Sequence, residues 1–428
     1  MMGTMGNDEE RRRPVRSYER LIAICISTVL VMAGQGVIAP VLPLFADSFG
    51  VSTAMVGATV TAFGLARLIT NVPAGLFADR NGRRFLLVGG PLVTAVGMFG
   101  SGLAGSIWVL LLFRLVAGFG SGLYMTGAQI YVLDIAEPNQ TARFIAVNQG
   151  ALLVGVTAGP AIGGVLADAY GLASPFLVVA AAALLTAIYG YVRLPETLSA
   201  PLGAVADDGG DRSREDPGSS HWELLRSIDF LAVGLIAFAV FSVRAGVRQT
   251  LVPLQLNREF GLAVADLGVL FTALGLIGIV LIAPAGWFAD RIGRKVLIVP
   301  TAFVMAIGLG LVAIAESLPL FIAGLAISAV GSSITGPAPA AYVSDLTTDE
   351  QRGSAMGMYR TAGDLGVVFA PVAGGALADA VSISFSIAVA AAFVAVSGLF
   401  FWFFASANPS PVRSPVPVGV PRSDPSRP

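Results

Sequence analysis

The 428-residue sequence holds one cysteine, one histidine and one lysine, and each scarcity closes a chemistry. Cys25 has no partner for an intrachain disulfide and reads as a small apolar side chain. His221 and Cys25 together supply too few ligands for a structural zinc site. The lone lysine, Lys295, sits in Arg294-Lys295-Val296. A phosphate-binding loop needs Gly-Lys followed by Ser or Thr, so ATP hydrolysis through that motif is excluded within the chain. No nucleophile–base pair, metal-ligand cluster or cofactor loop is visible, so the chain does not read as an enzyme and no cofactor is expected. Charge is scarce too: 12% of residues are charged and the net charge is −1. A soluble globular chain carries roughly 25%. The run Arg11–Arg13 is too short to serve as a nucleic-acid tract, and no nucleic-acid partner is expected.

What is abundant is apolar: 55% of the residues are hydrophobic, and 51 are glycine, as expected where helices pack closely in lipid. Apolar stretches fall at about 21–45, 54–77, 86–104, 107–133, 145–167, 174–193, 230–254, 264–288, 297–315, 318–343, 355–378 and 383–405. Each is long enough to cross a hydrocarbon core of roughly 30 Å as a helix. Backbone groups go unpaired in lipid in any open structure, so an all-α membrane protein of twelve transmembrane helices is predicted. The run after Arg20 is too long for a cleaved leader and reads as the first span.

Basic residues assign the faces. Of 26, twenty fall on the side of the N-terminal arm: the arm itself, Arg80, Arg83, Arg84, Arg143, Arg193 to Arg226, Arg291 to Lys295, Arg352 and the tail. Arg258 stands alone on the other side, and five lie within spans. The positive-inside rule then makes both termini cytoplasmic in a multi-pass cell-membrane protein. Asn139-Gln140-Thr141 matches a glycosylation sequon but falls in a cytoplasmic loop, where it is inert. The organisation predicted is a cytoplasmic arm (1–20), a six-helix bundle (21–193), a flexible linker (194–228), a second six-helix bundle (229–405) and a disordered tail (406–428). A short amphipathic helix is expected near Trp222–Leu225.

The halves repeat. Ala74-Gly75-Leu76-Phe77-Ala78-Asp79-Arg80-Asn81-Gly82-Arg83-Arg84 returns as Ala285-Gly286-Trp287-Phe288-Ala289-Asp290-Arg291-Ile292-Gly293-Arg294-Lys295, at an offset of 211. The same offset relates Tyr131-Val132-Leu133-Asp134 to Tyr342-Val343-Ser344-Asp345, and Pro160-Ala161-Ile162-Gly163-Gly164 to Pro371-Val372-Ala373-Gly374-Gly375. One offset at three separated motifs indicates duplication. Two equivalent bundles facing one another enclose a central cavity, and rocking them gives alternating access.

The motif Gly75-x-x-x-Asp79-Arg80-x-Gly82-Arg83-Arg84 resembles the best-known signature of the major facilitator superfamily, and the second copy stands between spans eight and nine, where that family places it. The resemblance covers about residues 20–405 and implies two pseudo-symmetric six-helix bundles. In the family this loop lies beside the cytoplasmic start of span eleven, so the resemblance implies an inter-half latch from Asp79, closed when the cavity faces outward. A carboxylate is favoured at a helix N-terminus. By symmetry Asp290 meets the start of span five near Arg143. The alternative is a loop that only fixes topology. Arg114, followed by Gly118, Gly120 and Gly122, resembles the span-four arginine motif associated with proton coupling; the alternative is an arginine snorkelling to the outer surface. Gly155-x-x-x-Gly159-Pro160-x-x-Gly163-Gly164 resembles the antiporter signature of drug exporters; generic helix packing is the alternative. The second copy departs from it, with Ala370 for the first glycine of the pair.

Spans one, four, seven and ten line the family's cavity, so its wall is expected to include Gln35, Tyr124, Gln129, Phe241, Arg244 and Ser333. Gly36, Pro40 and Pro43 bend span one. Many proton-coupled exporters of the family carry an acidic residue on a cavity-lining helix, whereas here the carboxylate well inside a span is Asp364, in span eleven. Counting helical rise puts Asp364 about 13 Å and Arg67 about 15 Å below the same surface. The family fold sets spans two and eleven side by side across the halves, so an Arg67–Asp364 contact is expected, with Arg360 as the competing partner one turn away. Arg67, Arg114, Asp134, Arg360 and Asp364 are the coupling candidates. The function expected is proton-coupled export of drug-like or lipophilic molecules by a monomer in the lipid bilayer, with a small-molecule substrate and protons as partners. Few ionisable groups project into the cavity, which suits a lipophilic substrate, while Arg244 and Arg248 keep an anionic one possible; proton-coupled uptake of a small metabolite is the alternative function. A non-transporting sensor on the same fold is a third reading, with no sizeable soluble signalling domain to support it.

Overall fold

A computed structural model describes residues 5–137, 140–197, 224–335, 338–348 and 351–407. The sequon asparagine, most of the linker and nearly all of the tail lie outside these residues; Leu224 to Arg226 are helical.

Twelve helices among the described residues are long and apolar enough to cross a membrane. Spans two to six are Thr53–Asn81, Arg83–Gly102, Ile107–Ile135, Thr141–Tyr170 and Ser174–Arg193. Spans eight, nine, eleven and twelve are Val264–Ile292, Arg294–Ala313, Arg352–Ala380 and Ile383–Phe404. Their starts follow local chemistry. Ser52, Ser106 and Ser382 sit in extended backbone at N-caps, and each side chain accepts from the N–H three residues on. Gly82 and Gly293 turn the two signature loops at φ of 90° and 93°, a region costly for any side chain.

Two spans are less regular than expected. Span one, helical already from Met5, breaks after Ile38 and resumes as Val41–Asp47, with Pro40 at the break. Span ten is described over Leu318–Thr335 and Ala338–Asp345. Span seven is the largest departure: between Ile228–Ser242 and Val252–Phe260 it runs as a π-helix over Val243–Leu251. Thr250 Oγ1 donates to Ala245 O at 2.8 Å, five residues back, in keeping with the wider winding.

Within the first half, span one packs on five and six, and span four on two and three; in the second half, seven packs on eleven and twelve, and nine on ten and twelve. The outward faces carry large apolar side chains such as Trp108, Val280 and Phe403, all more than two-thirds exposed. That is a lipid-facing surface. The halves meet along spans two and eleven and along five and eight.

Candidate functional site

An even number of spans leaves both chain ends on one face, which also carries the two signature loops; the opposite face carries Asp47. On the Asp47 face the halves are sealed by backbone-to-backbone packing at glycines. A Cβ built on Gly57 would lie 2.1 Å from Pro371 O, and one on Gly268 would lie 2.4 Å from Pro160 O. Gly375 approaches Thr53 O and Gly164 approaches Val264 O, each to 2.5 Å on the same measure. Every one of these contacts maps onto its partner by the offset of 211, so the seal has two-fold pseudo-symmetry. Thr61 Oγ1 donates to Val368 O at 2.6 Å, and its counterpart Thr272 accepts from Ala161 N at 3.0 Å.

Charge reinforces the seal. Asp379, at the end of span eleven, accepts from Thr53 N at 2.8 Å and Ala54 N at 2.9 Å. This is a carboxylate capping the N-terminus of span two from the other half. Arg258 forms an ion pair with Asp47. The latch that the sequence led us to seek at Asp79 is thus realised, in this state, by Asp379 on the far side. Its signal was weak, because its partners are backbone N–H groups more than three hundred residues away. Asp47 and Arg258 were findable, since the same offset relates them.

The face with the termini is open at these helices. Gly75, Gly286, Gly353 and Gly357 have open space where a Cβ would project. Asp79 is 70% exposed and, among the described residues, pairs with Arg83 of its own loop at 3.5 Å and not with span eleven. Arg80 and Arg291 are exposed, and Arg291 stacks on Trp287. The side chain of Asp290 lies outside the described set, so its meeting with Arg143 is not described; Arg143 stacks on Tyr18. Each half clasps its own loop: Arg83 pairs with Asp134 at 2.9 Å and Arg294 with Asp345 at 3.2 Å, again one offset apart. As a coupling candidate Asp134 is therefore misplaced. It stands next to the last residue of span four, at the terminal face, bound within its own half.

At mid-depth Arg67 Nη2 lies 2.9 Å from Asp364 Oδ1, so spans two and eleven, and hence the two halves, are joined by a partly buried ion pair. Arg360 does not compete for Asp364; it reaches the side-chain amide of Gln129 in span four, Nη1 to Oε1 at 3.3 Å, a second polar bridge between halves. Arg114 is buried, stacks on Phe63 and donates to Thr59 O at 3.3 Å, so it faces protein and does not snorkel. None of these ionised groups has a charged counterpart at the offset: Gly278 stands for Arg67, Leu153 for Asp364 and Leu325 for Arg114. Structural charges repeat in this fold, and the mid-membrane charges do not.

Of the expected cavity wall, Arg244 is exposed in the middle of span seven, on the π-helical stretch. Gln35 donates to Ser121 at 3.0 Å, tying span one to span four. Tyr124 is a correction: it is fully buried, with its hydroxyl 3.1 Å from Thr28, and lines no open space. Phe241 is half-buried and packs against Gly363. Ser333 donates to Ala329 O of its own helix at 2.7 Å. In the antiporter motif Gly155, Gly159 and Gly163 pack on the span-one backbone, and Gly164 faces span eight across the halves. Pro160 contributes the carbonyl that Gly268 meets. Among the described residues no cluster of metal-binding side chains is present.

Comparison with known proteins agrees with this architecture. The family description "Major Facilitator Superfamily" matches residues 24–247 and 233–425. The chain is 26% identical to an uncharacterised MFS-type transporter of Methanocaldococcus jannaschii, over 89% of this chain and 97% of that one. It is also 26% identical to multidrug resistance protein 2 of Bacillus subtilis, over 86% and 91% of the respective chains. Among solved structures, a bacterial homologue of the human lysosomal transporter Spinster, inward-facing and unoccupied, superposes with a TM-score of 0.77 at 18% identity, covering 91% of this chain and 96% of that one. A D-xylose–proton symporter gives 0.73 at 17% identity, covering 91% and 98%. With nearly the whole chain matched and the two-bundle fold in place, the protein is a multi-pass membrane transporter, not an enzyme, and it belongs to the major facilitator superfamily.

Proposed function

We propose that the protein exports drug-like or lipophilic small molecules from the cell in exchange for protons, by alternating access between its two bundles. The observation that carries this reading is the Arg67–Asp364 pair, a partly buried ionic link between the halves. A proton on Asp364 removes the attraction to Arg67, and with it one of the bonds that hold the halves together at mid-depth. Proton binding and rocking are then linked without any further acidic group on a cavity-lining helix. The arginine asymmetry supports a cytoplasmic position for the open, terminus-bearing face, and on that reading the state is inward-facing. Similarity to multidrug resistance proteins 1 and 2 of Bacillus subtilis, each 26% identical, favours export of varied compounds. Gly164 of the antiporter motif lies at the inter-half contact, which supports this reading.

The test is accumulation of a fluorescent dye in cells with and without the gene, before and after a protonophore. Lower accumulation that returns to the control level when the gradient collapses supports export. Higher accumulation in cells carrying the gene contradicts it and points to uptake.

A further inference from the structure

The mid-membrane charges do not balance. Arg67 and Asp364 answer one another. Arg244 and Arg248, four residues apart on the π-helical stretch, have no carboxylate and no hydrogen-bond partner among the described residues. Arg244 is close enough to Arg67 to feel its charge, and Arg248 is close enough to Arg244. Arg244 therefore stands near an arginine whose carboxylate is already taken, and Arg248 stands near Arg244. Like charges four residues apart weaken a helix, and an arginine at membrane depth is costly unless it faces water or a partner.

The fold does not require charge at these places. The offset counterparts of Arg244 and Arg248 are Ala33 and Val37, which serve the same architecture in span one. Nor are the two arginines sealed into packing: Arg244 is exposed and Arg248 only half-buried, while the neighbours Ala245, Gly246 and Val247 are buried. Gly246 rests on Ala370 of span eleven, and the π-helical stretch also touches span two. The two cations are thus presented at the junction of the halves, just inside the seal. A π-helical stretch within a span is an arrangement that recurs at functional sites.

We propose that Arg244 and Arg248 bind an anionic group, a carboxylate, sulfonate or phosphate, carried by the transported molecule. Fixed guanidinium groups on a pre-formed backbone match the planar or tetrahedral oxyanion and supply charge-assisted hydrogen bonds that the protein itself leaves unmade. The inference rests on the transporter reading and adds the charge of the substrate. It also has an energetic consequence. An anion leaving a cell with a negative interior moves down the membrane potential, so the electrical gradient assists its export.

The experiment uses the purified full-length protein in nanodiscs and two dyes on one xanthene frame, anionic carboxyfluorescein and a cationic rhodamine methyl ester. Fluorescence anisotropy reads their binding at low salt. The expected result is a preference for the anion of about tenfold or more, with Arg244→Gln and Arg248→Gln each weakening it by about tenfold and Arg244→Lys retaining most of it. Bound carboxyfluorescein should be displaced by benzenesulfonate and not by benzyltrimethylammonium, a wild-type measurement that stands whether or not the variants fold. Equal or tighter binding of the cation, or displacement by both competitors alike, overturns the proposal. Flux of the same dyes into proteoliposomes separates the two readings. Transport of the cationic dye without anion preference removes the anion site and leaves the exporter. Anion binding with no flux of either dye removes the exporter and leaves the site.

Discussion

Asp364 has 7% of its side chain exposed and one arginine to answer its charge. Depth arithmetic on the sequence found this pair, because helical rise is regular and the repeat fixes which spans adjoin. It did not settle the fate of Arg360, since two side chains one turn apart meet only if neither has a better partner. Gln129 in span four was that partner. We expect Asp364→Asn to leave a folded protein whose transport no longer responds to a proton gradient, measured as dye flux in proteoliposomes with and without the gradient. Full gradient dependence in this variant would remove Asp364 from the coupling. Arg67→Ala is harsher, because it leaves the carboxylate unpaired; loss of one partner of a buried pair costs about 3–5 kcal/mol, less here because Arg67 keeps 26% of its side chain exposed. A fall of several degrees in melting temperature is the readout.

Helix pairs in this protein approach as closely as glycine allows, and the antiporter motif shows two uses of that closeness. Gly163 lies against span one, where an added Cβ would sit 1.9 Å from Val37 O, inside one half. Gly164, its neighbour, lies against Val264 O of the other half. Gly163→Ala is expected to lower folded yield, because the clash falls within a packed bundle. Gly164→Ala is expected to keep the fold and push the halves apart on the Asp47 face. Size-exclusion yield and cysteine accessibility near Ser52 separate the outcomes; equal loss of folded protein in both variants contradicts the distinction. The sequence reports small residues at helical spacing but not which neighbour each one meets. The π-helical stretch was hidden for a related reason: apolar composition gives the length of a span, and winding depends on hydrogen bonds that composition does not record. The break in span one was legible, since Pro40 has no N–H to continue the helix.

Two-fold pseudo-symmetry organises the whole molecule. The loop clasps, the glycine seals and the Asp47–Arg258 pair all obey one offset, whereas the mid-membrane charges break it. This division separates what builds the two bundles from what gives them a task. The fold was legible because lipid leaves the backbone few options and the repeat declares itself. The state was not, because one sequence serves both states. Removing the cap in Asp379→Asn weakens the seal by about 0.3–2 kcal/mol, enough to enlarge the population open on the Asp47 face by up to roughly thirtyfold. The decisive measurement pairs spin-label distances on the two faces, in a Cys25→Ser background. One pair joins Arg80 and Gly353, the other Ser48 and Glu259, all four exposed. We predict that Asp379→Asn shortens the Arg80–Gly353 distance in the same fraction of molecules in which the Ser48–Glu259 distance lengthens. Two distances that stay fixed, or that lengthen together, contradict alternating access between the halves.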